Sequence, residues 1–366
     1  MFSFLSRFRH LDLPLLAVML ILSAAGLAIL YGTTLSDNSS DVFLRQLGFW
    51  VFGFLVFLFI SFFDYHALAK TNRLVYVIML ALLLGLLLFG PTIRGGRRWL
   101  PLGFVSLQLA EFAKIIVILG LARLLYFRRG QINSWRTILW SFFYALFPAV
   151  LIVLEPDLGS SLVILSLWVG LVLLSPIKKR FLAILFLAFL VCVGMSWKFA
   201  LKDFQKDRIL VFLDPGIDPK GRGYNVRQAT IAVGAGEIFG RGLGKGVQSQ
   251  HKFLPERQTD FIFAAAGEEV GFVGSASLLL LYFFLLWRII SIMRRARDDL
   301  GMYIAGGVMS FFFFHVIVNI GMNIGLLPVT GIPLPFVSAG GSSLVANLIA
   351  LGLVQNVSLQ SKVLRF

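Results

Sequence analysis

Glu111 and Lys114 stand three residues apart in the apolar stretch from Leu107 to Tyr126, so they share one face of a helix and can pair. A charge inside a membrane-crossing helix costs on the order of 2.5–3.5 kcal/mol by insertion measurements, so such residues face a bundle interior or a wet cavity. Two readings follow: an ion pair that ties helices together, or the wall of a site. Glu155 and Asp157 flank Pro156 in a tight turn. Carboxylates that close suit a divalent cation, or one of them can accept a proton. Asp157 equally occupies an N-cap position, ahead of Leu158-Gly159-Ser160. Asp260 closes the polar run Phe253 to Asp260, immediately before another apolar stretch. It is either a helix cap or a carboxylate at a membrane–water boundary, where it can act as a general base.

Other constellations are weaker. Gly240-Arg241-Gly242-Leu243-Gly244-Lys245-Gly246 resembles a phosphate loop but fails its pattern: Gly246 follows Lys245 where Ser or Thr is needed, and Phe239 stands where the first glycine belongs. A glycine turn can still cradle a phosphate on backbone N–H groups, with Arg241 and Lys245 adding charge; the alternative is a plain turn. His10, His66, His251 and His315 show no metal-ligand spacing. His315, Asn319 and Asn323 follow one another at four-residue intervals, a pattern that suits hydrogen bonding between helices. The stretch Gly331 to Ser343 is rich in Pro, Gly and Ser, and irregular backbone at membrane depth must line a cavity or be buried in protein.

The elements that must position these residues are membrane helices. Of 366 residues, 58% are hydrophobic and only 14% charged, which excludes an ordinary soluble domain. The net charge of +15 is gathered in short loops between apolar runs, a topology signal rather than a nucleic-acid footprint. Cys192, the one cysteine, lies within an apolar run and forms no intrachain disulfide. Spans are expected at 13–33, 43–63, 74–90, 107–126, 138–154, 158–176, 181–200, 262–289, 303–325 and 341–361. The fold class is therefore all-α: a polytopic protein of about ten transmembrane helices forming a single membrane domain, 1–366. Both termini are placed in the cytoplasm, because Arg and Lys crowd the segments on that side. Arg94, Arg97 and Arg98 in the outer loop 91–106 break that rule and need a reason, such as an anionic ligand or lipid headgroups. The segment 201–261, before the eighth span, is a large outer loop, too long for a connector and too rich in Gly and aromatics for a disordered one.

Taken together, the motifs resemble the SEDS family (shape, elongation, division and sporulation), in particular its RodA branch. They are Arg97-Arg98-Trp99-Leu100, Glu111-Phe112-Ala113-Lys114, Glu155-Pro156-Asp157-Leu158-Gly159, Gly221 to Tyr224, Gly242-Leu243-Gly244 with Gln248, Phe253 to Phe263 and Leu327 to Phe336. They run in family order over nearly the whole chain. Gln258 departs from the pattern where His is common, and Leu109-Ala110 where Pro-Ser is common; neither removes a charge. The resemblance implies a peptidoglycan glycosyltransferase of the bacterial cytoplasmic membrane that polymerises lipid II on the outer face, for elongation and cell shape. It implies Asp260 as the essential carboxylate, with Glu111, Lys114 and Asp157 in support. Arg98, Arg208 and Lys245 are the expected contacts for the undecaprenyl pyrophosphate. A divalent cation (Mg or Mn) is a candidate cofactor, and no organic cofactor is expected. The expected partners are a class B penicillin-binding transpeptidase and other elongation-complex membrane proteins. The rival readings are a flippase for the same lipid-linked precursor and a non-catalytic scaffold.

Overall fold

The computed structural model describes residues 10–35, 41–92, 96–103, 105–185, 187, 206, 210–214, 216–218, 221–251 and 253–362. Arg94, Arg208, Cys192 and most of the expected seventh span lie outside them. Among the described residues, α1 (Leu13–Thr34), α2 (Asp41–Phe62), α3 (Tyr65–Phe89), α4 (Leu109–Phe127), α5 (Trp135–Leu154) and α6 (Leu158–Leu174) precede the large loop. Within that loop lie α7 (Arg222–Ala235) and the short α8 (Val247–Gln250); α9 (Ile262–Arg294), α10 (Asp299–Asn323) and α11 (Gly341–Lys362) complete the bundle. Seven of these helices are long and apolar enough to cross a membrane, and α6 is a shorter apolar helix. The 19 residues of α4 carry Glu111, Lys114 and Arg123, yet it runs among the others with its charged pair inside.

Two boundaries differ from expectation. The third span begins at Tyr65 rather than near 74, because Asp64 accepts the His66 amide at 2.9 Å and starts the helix before the polar residues Lys70 to Arg73. The loop expected at 91–106 contains an antiparallel hairpin, β1 (Trp99–Leu102) with β2 (Val105–Gln108), which runs straight into α4. Its short strands flank Gly103, and too few residues alternate for the pattern to show against an apolar background.

Short polar residues start the helices. Asp12, Asp64, Ser134, Asp157 and Asp298 each accept a first-turn amide with the side chain. At one end of the bundle these caps also tie helices together. Arg288 Nε donates to Asp12 Oδ1 at 2.7 Å, joining α9 to α1, and Tyr65 donates to Asp298 Oδ1 at 3.0 Å, joining α3 to α10. The most enclosed helices are α10 and α11, whereas α2 turns Phe52, Leu55 and Phe59 outward, as a lipid-facing helix does. An apolar exterior around a partly polar interior is the membrane arrangement.

Candidate active site

Asp260 lies in the turn 256–261, where the amides of Thr259 and Phe261 both donate to the Glu256 carbonyl. Phe261 is the N-cap of α9, so Asp260 stands one residue before the capping position. Its backbone carbonyl accepts Asn319 Nδ2 at 3.1 Å and Asn323 Nδ2 at 3.0 Å, both from the C-terminal end of α10. The irregular stretch after α10 holds the turn from the other side. Ala339 N donates to Gln258 O at 2.7 Å, and the Ser338 hydroxyl donates to Thr259 O at 2.6 Å. Gln46 of α2 braces that stretch, donating to Ser338 O at 3.2 Å and accepting from Gly340 N at 3.0 Å. Gly331, at φ +76°, lies against the carboxylate: a Cβ there would stand 3.4 Å from Asp260 Oδ2. The left-handed backbone at 331 is what favours glycine there, since a Cβ would make only an ordinary contact with the carboxylate.

One helical turn further in, Lys114 Nζ donates to Glu111 Oε1 at 2.7 Å and lies 3.3 Å from His315 Nε2. His315 Nδ1 is 2.9 Å from Phe311 O, which can only accept; the proton therefore sits on Nδ1 and leaves Nε2 to accept from Lys114. All three side chains are buried. The contact with His315 ties α4 to α10.

Asp157 is a cap and more: Oδ1 accepts Ser160 N at 3.0 Å, while Oδ2 accepts Ser160 Oγ and Gln108 Nε2, each at 2.9 Å. Gln108 is the N-cap residue of α4, so the Asp157 turn is anchored to the helix carrying Glu111. Two residues on, Gly159 packs against Thr330 O, which places this turn beside the Thr330–Gly331 strip that touches Asp260. Burial, then the neighbouring Asp157, push the Glu155 carboxyl up to about 8 against the opposing pull of Arg98. Among the described residues, Glu155 Oε1 is buried with no hydrogen-bond partner.

The FtsW/RodA/SpoVE model, described as cell cycle protein, matches residues 7–363. The chain belongs to this family. It is 35% identical over 355 residues to the peptidoglycan glycosyltransferase MrdB of Escherichia coli K12, covering 97% of this chain and 95% of that one. It is 37% identical over 365 residues to the stage V sporulation protein E of Bacillus subtilis, covering 96% and 98%. A solved structure described as a peptidoglycan synthase complex coordinating polymerisation and crosslinking superposes with a TM-score of 0.81 at 30% identity, covering 96% of this chain and 98% of that one. The rod shape determining protein RodA of Thermus thermophilus superposes at 0.72 with 27% identity, over the same shares. Family membership and the apolar helices make this a multi-pass protein of the bacterial cytoplasmic membrane.

Within the FtsW/RodA/SpoVE fold, the outward arginines find separate reasons. Arg97 Nη1 donates to Leu87 O at 3.0 Å and Leu88 O at 3.1 Å, closing the C-terminus of α3. Arg98, partly buried, faces Glu155. Lys245 is exposed on the glycine turn, but that turn is no phosphate cradle. Its amides are consumed internally: Arg241 N and Gly242 N donate to the carbonyls of Glu268 and Glu269 at 3.0 and 2.9 Å, and Gly244 N to Glu269 Oε1 at 3.2 Å. Lys245 therefore offers charge alone.

Glu268 and Glu269 escaped the sequence reading. Glu268 accepts Gln248 N at 2.7 Å and Ser249 N at 3.0 Å, capping α8, and Glu269 is buried beside Gly32 with Arg257 supplying opposite charge. The signal was present: two adjacent carboxylates in an apolar run are costly unless they have partners.

Proposed function

We propose that this chain is a peptidoglycan glycosyltransferase that polymerises lipid II on the outer face of the cytoplasmic membrane, in cell elongation. The observation that carries the reading is Asp260: a partly exposed carboxylate whose backbone is held by two buried asparagines of α10, with Ser338 of the following loop holding the residue before it, in a chain aligned end to end with glycosyltransferase relatives. Asp260 takes the proton from the 4-hydroxyl of the acceptor's GlcNAc as that oxygen attacks the anomeric carbon of the lipid-linked donor. The glycosidic C–O bond forms as the bond to undecaprenyl pyrophosphate breaks, with inversion and no covalent sugar–enzyme adduct. Arg98, Arg208 and Lys245 are the proposed contacts for the departing pyrophosphate, and Glu111, Lys114 and Asp157 support the site from beneath and beside it.

A divalent cation, Mg or Mn, is proposed to enter with the substrate's pyrophosphate: among the described residues no three His, Cys, Asp or Glu side chains gather, and both Asp157 oxygens are engaged by Ser160 and Gln108. The transpeptidase partner is proposed from the likeness to the synthase complex, whose function joins polymerisation to crosslinking.

The test is polymerisation of lipid II in liposomes by the purified protein with its transpeptidase, in the presence of a drug that blocks bifunctional penicillin-binding polymerases. Wild type should make long glycan strands, and Asp260→Ala should lose about 10²–10⁴ of the rate while remaining folded. Equal polymer from both would remove Asp260 as the base. None from either, with an active partner, would favour transport or scaffolding.

A further inference from the structure

We propose that Asn319 and Asn323 are positioning residues for the Asp260 carboxylate, setting its place relative to the Gly331 backbone and the start of α9; this rests on Asp260 being the general base. Both side chains are fully buried. Asn319 Nδ2 bridges two separate stretches of chain, donating to Asp260 O at 3.1 Å and to Ile332 O at 2.8 Å. One amide group therefore spaces residue 260 from the loop whose Gly331 lies against the carboxylate.

Asn323 performs a second task. Its Oδ1 accepts Ala264 N at 3.0 Å, one of the first-turn amides of α9 that has no partner within the helix. Its Nδ2 donates to Asp260 O at 3.0 Å and to Asn319 O at 2.8 Å. Among side chains of this length, only a carboxamide both accepts and donates in this way. The assignment of O and N is also fixed by the partners: a flipped Asn323 would set oxygen against the Asp260 carbonyl and NH₂ against an N–H. A shift of about 1 Å in a catalytic group can cost on the order of 10²-fold in rate, so the two amides govern turnover without touching substrate.

The two tasks of Asn323 can be separated. Asn323→Asp keeps an oxygen for Ala264 N, at a helix N-terminus that favours negative charge, but sets an oxygen against the Asp260 carbonyl. In the reconstituted complex, with rates normalised to the fraction that binds lipid II, Asn323→Asp should lower kcat by about 10–100-fold while leaving KM within about twofold of wild type. Asn319→Ser, which removes the bridge to Ile332, should show the same kcat-only loss. Asp260→Ala run alongside separates the two levels of the argument. Activity in Asp260→Ala sinks the base assignment. An inactive Asp260→Ala together with wild-type turnover in folded Asn323→Asp and Asn319→Ser sinks the positioning role alone. A loss confined to KM overturns it too, because it would place the amides in substrate binding.

Discussion

Glu155 sits at the tip of the α5–α6 hairpin, outside the spans, with its carboxyl pushed up to about 8 by burial and by Asp157. The folded protein then holds a proton there that the unfolded chain releases above about 4.5. Stability from this group is complete below about 4.5 and is lost as pH rises toward 8. Thermal unfolding in detergent should show it: wild type should lose on the order of 2 kcal/mol relative to Glu155→Gln across that window, after allowance for screening by the aqueous face. Parallel pH profiles for the two proteins would refute the assignment. Asp157 at the same scale was legible as a cap, since its spacing to Ser160 is local. The surroundings of Glu155 were not legible, because they depend on Arg98, which lies far off in the chain.

At the scale of elements, the decisive feature is the break in α9. Gly271, at φ +66° and ψ −165°, divides the helix, and a Cβ there would stand 2.2 Å from Gly240 N and 2.7 Å from Ile238 O. Around it the freed carbonyls of Glu268 and Glu269 take the amides of the glycine turn, while Phe272 N and Val273 N donate to Glu237 O and Ile238 O at 2.9 and 3.0 Å. Gly271→Ala should therefore undock residues 240–250 as well as strain the helix, at a cost of at least about 1–3 kcal/mol. Hydrogen exchange is the suitable measurement: amides of Arg241, Gly242 and Ser249 should lose protection in the variant, and unchanged protection would show that the turn stands without the break. The sequence reads as a single apolar run through 271 because a lone glycine in a helical pattern is ordinarily tolerated. Its obligate conformation follows from a partner that is more than twenty residues away in the chain.

For the whole molecule, the sidedness of the bundle sets whether Asp260 and Lys245 meet extracellular substrate. In a Cys192→Ser background, an impermeant maleimide should label Lys245→Cys in intact cells and spare Lys179→Cys until the membrane is opened; both native lysines are exposed. The reverse pattern would turn the proposed site toward the cytoplasm. Ties such as Asp12–Arg288, which join α1 to α9 across most of the chain, hold the bundle together as a unit.

The sequence by itself determined the class of the molecule, the approximate position of the seven helices that are long and apolar enough to cross a membrane, and the pairing of Glu111 with Lys114. These follow from hydropathy and helical period, which act over a few turns. Tertiary structure alone decided that Asn319 and Asn323 grip the Asp260 carbonyl, that Gly331 lies against its carboxylate, and that His315 receives Lys114. It also closed the glycine turn to phosphate by spending its amides on α9. Each of these is a hydrogen bond or close approach between residues distant in sequence. A buried polar group must find some partner, but its own neighbourhood in the chain does not say which.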